Sequence, residues 1–252
     1  MSDALKIALV AEGPTDFEVI QAALKAVLPN PFIMTLLQPE ATQPQMGGGW
    51  GGVLKWCHAA QQRHNGSLDT DPILMDFDLL IIHVDVDVST AQYDNCGPAV
   101  TKLAQQNNWG ALPCSQPRLP VADTVDALMS VIQSWLGGAT PGDRTLFCLP
   151  AQSSDTWLAA AVLSPGDFRL TEGECDVNLE NRLANLPKGQ RIKKNKRDYQ
   201  VHAPRITQHW TQVKILCTQA AEFEKTVLNT ISVFAALSLD NFVVIFPPKS
   251  VD

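Results

Sequence analysis

The chain has 252 residues, which at roughly 150 residues per domain leaves room for one large domain, or one with a small appendage, and excludes a multidomain machine. Hydrophobic residues make up 45% and charged residues 18%, globular proportions that exclude disorder of the whole chain. The net charge of −7, from 19 basic and 26 acidic side chains, excludes indiscriminate adhesion of the whole protein to nucleic acid.

No stretch approaches the roughly 20 uninterrupted apolar residues that a membrane span needs. The opening MSDALKIALV lacks the basic start and apolar run of a signal peptide, so the expected location is the cytoplasm, without membrane association. The cysteines at 57, 96, 114, 148, 175 and 217 form no CxxC pair and keep no regular spacing. That argues against a zinc module and against a secreted disulfide scaffold. The neighbours Cys57 and His58 could be a ligand pair, but packed thiols are far commoner.

In chain order, residues 5–11 form a buried strand that ends at Glu12-Gly13-Pro14-Thr15. Thr15 and Glu18 stand at capping-box spacing, and Phe17, Ile20, Ala23, Leu24 and Val27 predict a helix up to Pro29. A second strand is expected over 32–38. The glycines from Gly47 to Gly52 read as a flexible loop leading into a helix over 53–64. Residues 77–88 are the strongest strand signal, with His83, Asp85 and Asp87 on one parity. The interval 88–145 has the look of an insertion without an inferable purpose. Another strand is expected over 145–149, and Ser153-Ser154-Asp155 opens a helix.

This alternation predicts an α/β fold, a mostly parallel central sheet flanked by helices over residues 1–163. Residues 164–252 form an extension: an irregular polar loop, then a helical stretch. In the loop, Lys188, Arg191, Lys193, Lys194, Lys196 and Arg197 gather six basic side chains on an otherwise acidic body. From Arg205 on, Ile206, Trp210, Val213, Cys217, Ala220, Phe223, Val227, Ile231 and Phe234 keep helical spacing, so one long or bent helix is expected to pack on the core or to serve a homodimer. A last strand is expected over Phe242–Phe246.

Acidic residues fall where strands end or helices begin: Glu12, Asp16, Asp85, Asp87 and Asp155. In a parallel sheet the C-terminal strand ends share one edge, so acids distant in sequence can converge there. Two carboxylates about 4 Å apart repel by roughly 4 kcal/mol at an effective dielectric near 20, so such a cluster calls for a cation. Oxygen ligands without Cys or His at metal spacing select magnesium or manganese over zinc. Three of the acids also have a plainer reading: Asp16 and Asp155 suit helix first turns, and Glu12 could be a solvated strand end, whereas Asp85 and Asp87 in so apolar a strand would be costly without a partner. His83 reads either as a partner that orients a carboxylate or as a core histidine.

Val10-Ala11-Glu12-Gly13-Pro14-Thr15-Asp16 resembles the first motif of toprim domains, the topoisomerase-primase fold, in the form seen in OLD-type nucleases. Val84-Asp85-Val86-Asp87 resembles the toprim DxD motif, in the matching order and strand context. Pro150 to Trp157 is similar to a segment of small stand-alone toprim proteins of bacterial defence loci, which usually carry Glu where this chain has Asp155. The resemblance implies a toprim-like Rossmannoid core and a metal-dependent nuclease. Glu12, Asp16, Asp85, Asp87 and Asp155 would hold Mg2+ or Mn2+, Glu12, Asp85 and Asp87 being catalytic, with Lys196 or Lys194 as the assisting lysine. It also implies an antiphage effector controlled by an ABC/SMC-type ATPase partner. The chain itself has no GK[ST] phosphate loop.

On that reading Arg191, Lys193, Lys194, Lys196 and Arg197 bind the backbone of a DNA or RNA substrate, unless the run is only a solvated surface loop. Tyr199 would stack a base or pack under the loop. The competing expectation is a degenerate toprim module that binds a partner or a nucleic acid without cutting it.

Overall fold

The computed structural model describes residues 4–40, 42–188 and 190–240. Strands β1 (Leu5–Val10), β2 (Phe32–Gln38), β4 (Leu79–His83) and β6 (Thr145–Cys148) form one sheet in the order β2-β1-β4-β6, every pair parallel. Short strands β3 (Gly66–Ser67) and β5 (Ala139–Thr140) pair separately. The protein is α/β with a parallel central sheet flanked by helices and a helical C-terminal region.

Period-two alternation distributes the central strands between two cores. Ile7, Leu9, Leu79 and Ile81 face one hydrophobic cluster, with helices α1 (Pro14–Val27) and α5 (Ser154–Val162). Ala8, Val10, Leu80 and Ile82 face the other, with α2 (Gly49–Arg63) and α4 (Val121–Leu136). Both faces being covered explains why these strands are almost wholly apolar, with Lys6 at the exposed start of β1 and His83 at the end of β4 as the exceptions. The interval 88–145 contains α3 (Pro98–Gln106) and α4, and α4 buries Leu128, Ile132, Trp135 and Leu136 in the second core.

The polar stretch after Val162 holds helices α6 (Leu179–Ala184) and α7 (Lys196–His202). The single C-terminal helix expected from spacing is three: α8 (Pro204–Gln208), α9 (Trp210–Leu216) and α10 (Thr218–Asp240), which meet at His209 and Cys217. The spacing still marks the buried face, since Ile206, Trp210, Val213, Cys217, Ala220, Phe223 and Val227 all join the first core. A packing stripe is preserved across a break because each piece returns its apolar side to the same surface. The strand expected over Phe242–Phe246 lies outside the described residues. No helix among the described residues is long and apolar enough to cross a membrane.

Three local expectations change. Helix α1 begins at Pro14 with Gly13 as its cap, and the Thr15–Glu18 box does not form, because proline is pre-shaped for a first helical position. Helix α2 begins inside the glycine run, at Gly49, whose N–H donates to the Glu12 carbonyl at 2.7 Å. The strand over 77–88 stops at His83. Val84 and Val86 still donate to β6-side carbonyls of Cys148 and Pro150, and then Val88 N–H closes on the Asp85 carbonyl in a 3-10 turn spanning Val86–Thr90.

Candidate functional site

The C-terminal ends of β1, β4 and β6 lie side by side, and the first turns of α1 and α5 face them. Glu12 follows β1, Asp16 sits in the first turn of α1, His83 ends β4, and Asp85 lies two residues beyond it at the start of the 3-10 turn. Asp155 sits in the first turn of α5. Helix N-termini favour carboxylates, so Asp16 and Asp155 are where the dipole suits them.

The Asp85 N–H donates to Glu12 Oε1 at 2.9 Å. Ser154 links the other two acids: its N–H donates to Asp85 Oδ1 at 2.9 Å and its hydroxyl to Asp16 Oδ1 at 2.7 Å. Thus β1, β4, α1 and α5 are joined through one connected set of polar contacts. Among the described residues, Glu12, Asp16 and Asp85 each keep a second carboxylate oxygen without a hydrogen-bond partner. Gly13 leaves the Asp16 side open, since even a Cβ there would sit 3.6 Å from Asp16 Oδ2.

His83 is fully buried, with Nε2 3.2 Å from Asp85 Oδ1. The approach is off the line of a hydrogen bond, so neither ring nitrogen has such a partner among the described residues. One ligand atom each from Asp16, His83 and Asp85 lie within 4.8 Å of one another, a spacing that could hold a metal ion.

Burial pushes Glu12 well above the usual carboxylate range, reinforced by Asp85 and Asp16, and raises Asp16 as well. Burial acts on His83 in the opposite sense, but Asp16, Asp85 and Glu12 outweigh it and raise the imidazole to about 9. Without another cation, His83 is therefore the positive charge inside the cluster at neutral pH.

Asp155 and Asp87 stand differently. Asp155 is fully buried, with Oδ1 accepting from the Tyr199 hydroxyl and Oδ2 lying 3.4 Å from both Ser153 Oγ and Lys194 Nζ. Both of its oxygens are engaged, and burial raises it to about 7 against the pull of Lys194. Asp87 lies in the 3-10 turn, exposed, and does not share a strand face with Asp85. Its N–H donates to the Gln152 carbonyl at 2.9 Å, and partial desolvation with Asp85 nearby raises its carboxyl to about 6.

The basic loop divides in the same way. Lys194 reaches inward, 3.4 Å from Asp155 and 3.1 Å from Glu180; burial disfavours its charge, but Asp155, Asp85 and Glu180 hold it above the usual lysine range. Lys196 is exposed in the first turn of α7, whose cap is Asn195. Arg191, Lys193 and Arg197 are also exposed, with Arg191 Nε donating to the Leu186 carbonyl. Tyr199 is buried under the loop.

Sequence reasoning missed Ser154 as the bridge between two acids and Glu180 as a partner of Lys194. Ser154 read only as a helix-start residue, and nothing local in Glu180 signals its role. The chain matches no known family model, no curated protein and no solved structure at a significant level.

Proposed function

We propose that this chain is a toprim-type nuclease that hydrolyses phosphodiester bonds of DNA or RNA with a divalent cation, magnesium or manganese. The observation that supports the reading best is the convergence of Glu12, Asp16 and Asp85 at one sheet edge, each with one carboxylate oxygen left free. Asp16 and Asp85 would hold the ion together with His83, leaving the free oxygen of Glu12 beside them; manganese accepts an imidazole more readily than magnesium. A cation held there would polarise the phosphate and lower the pKa of a bound water.

The chain's own groups have distinct tasks. Ser154 orients Asp16 and Asp85 through its two donated hydrogen bonds. Glu12 is fixed by the Asp85 N–H through Oε1, which leaves Oε2 to accept a proton from the attacking water. Lys194 remains positive and partly exposed beside the acids, where it would neutralise charge developing on the phosphate. Arg191, Lys193, Lys196 and Arg197 would bind the substrate backbone in a salt-dependent way without reading sequence. The roles of antiphage effector and of an ATPase partner rest on the sequence resemblance alone.

The test is a cleavage assay on plasmid DNA, single-stranded DNA and total tRNA with magnesium, manganese or chelator. Chelation, Glu12→Ala and Asp85→Ala are each expected to lower the rate by at least about 100-fold, a typical cost of losing an electrostatic element of a site. Lys194→Ala should lower turnover, whereas Lys196→Ala should weaken substrate binding with turnover nearly kept. Cutting that survives both carboxylate variants overturns the assignment.

One arrangement favours a second reading, a module that binds without cutting: both Asp155 oxygens are already occupied by protein groups. On that reading magnesium leaves the melting temperature unchanged, because no ion binds the folded state.

A further inference from the structure

Independently of the nuclease reading, the free edge of β6 lies at the bottom of a slot between the two helical layers. The slot, of about 310 Å³, has Val125 and Met129 of α4, Phe223 of α10, and Phe147 and Leu149 of the β6 end as its apolar lining, with Asp126 of α4 and Gln219, Glu222 and Thr226 of α10 as its polar lining. Leu80 N–H and Val84 N–H bond the carbonyls of Arg144 and Cys148. In a parallel ladder this turns residues 146 and 148 toward β4 and leaves the backbone groups of Phe147 and Leu149 facing outward. They have no hydrogen-bond partner among the described residues, and β6 has no strand on that side. An open edge with apolar side chains from both helical layers above it and polar groups among them is a template for one more strand.

The occupant is argued from the chain itself. Phe242-Val243-Val244-Ile245-Phe246, outside the described residues, is apolar at every position and is followed by Pro247 and Pro248, which cannot donate to a ladder. Such a run needs cover on both faces, as parallel central strands have. The other sheet edge does not offer it: β2 has Ile33 57% exposed and Thr35 exposed. The apolar hollow beside Ile231 is walled in part by Pro29 and Pro31 and exposes no strand edge. Among the described residues, the β6 slot combines free backbone groups with apolar side chains from both helical layers.

Reach decides whose tail it is. Helix α10 lines the slot as far as Thr226 and continues to Asp240, about 21 Å farther along its axis. An extended chain doubling back at about 3.3 Å per residue spends about six residues on the return, which uses up residues 242–246 before the slot is regained. We propose that the β6 slot receives Phe242–Phe246 of a second copy of this chain, the two copies exchanging C-terminal segments in a two-fold dimer.

The experiment is sedimentation velocity with light scattering on the full chain and on two double variants, Val243→Asp with Ile245→Asp in the tail and Ala122→Glu with Met129→Glu on the slot wall. Ala122 is exposed and Met129 half-buried, and the tail variant leaves the described core untouched. The full chain is expected at twice its 27.5 kDa, and both variants at the mass of one chain. A synthetic peptide of residues 241–249 should bind the tail variant one to one and should not bind the slot variant. A monomeric full chain, a dimer that persists in either variant, or a peptide that binds both variants equally would overturn the proposal.

Discussion

Lys194 and Lys196 are two residues apart and both reach solvent, but their partners differ. Lys194 ion-pairs with a fully buried aspartate, while Lys196 faces solvent in the first turn of a helix. The same sorting separates Asp85, whose backbone and side chain tie β1 to α5, from Asp87, which a turn carries outward. These neighbours also determine how the protein responds to pH. Asp155 titrates near 7 in the fold against an ordinary 3.8, and His83 near 9 against 6.5. Each folded value is raised, so the folded state holds more protons than the unfolded chain between the two values. The contribution of Asp155 is complete below about pH 4 and is lost by about 7. That of His83 is complete below about 6.5 and is lost through about 9. The metal-free protein should therefore lose thermal stability steadily from pH 5 to pH 9. Magnesium should raise the melting temperature more at pH 8 than at pH 5.5, since protons and the cation compete for the same carboxylates. Calorimetric melts at both pH values, with metal and with chelator, check this; a melting temperature that rises with pH contradicts it.

At the scale of elements, the start of α2 bears directly on the candidate site. Its glycine run is compressed rather than flexible: a Cβ on Gly52 would lie 2.4 Å from Gln38 Nε2 and 2.8 Å from the Gly47 carbonyl. Gln38 Nε2 itself holds that carbonyl at 2.6 Å, and Gly49 N–H holds the Glu12 carbonyl. Gly52→Ala should therefore cost about 1–3 kcal/mol, the usual cost of overpacking a tight site. It should also loosen Glu12. Gly49, at φ +66° but with nothing within 4 Å of its Cβ direction, is a control in which only backbone strain is added, about 1 kcal/mol for Ala. Denaturant melts of the two variants, with magnesium affinity measured beside them, separate crowding from strain; equal losses in both would contradict the contact argument.

At the scale of the molecule, the first core connects the extension to the site. Trp157 is fully buried on α5, packed edge-on to Trp210 at 5.6 Å and against Phe223 at 5.5 Å. It lies less than one helical turn from Ser154, which donates to both Asp16 and Asp85. Trp157→Ala should destabilise the protein by about 3–5 kcal/mol, as large-to-small changes of a buried aromatic do. Because α5 would shift into the cavity, magnesium affinity should fall as well. The milder Trp157→Phe should keep most of that affinity. Chemical denaturation with titration calorimetry reads both quantities; normal metal affinity in a destabilised Trp157→Ala would show that the core and the site are uncoupled.

What the sequence determined by itself was whatever depends on short-range pattern. The apolar runs 5–11, 32–38 and 145–149 become strands, the spacing from Ile206 to Val227 marks a buried face, and acids at strand ends reach a common edge. Period and propensity act over a few residues, and parallel topology does the rest of the convergence. Only the tertiary structure decided which members meet. Ser154 reaches Asp16 and Asp85 across long sequence separations, Lys194 rather than Lys196 reaches Asp155, and Asp155 Oδ1 is taken by Tyr199 of α7, which no local signal ties to it. Those choices turn on register and on packing of the extension against α1 and α5. A shift of one residue, too small to alter any sequence pattern, sends a side chain to the opposite face of a strand.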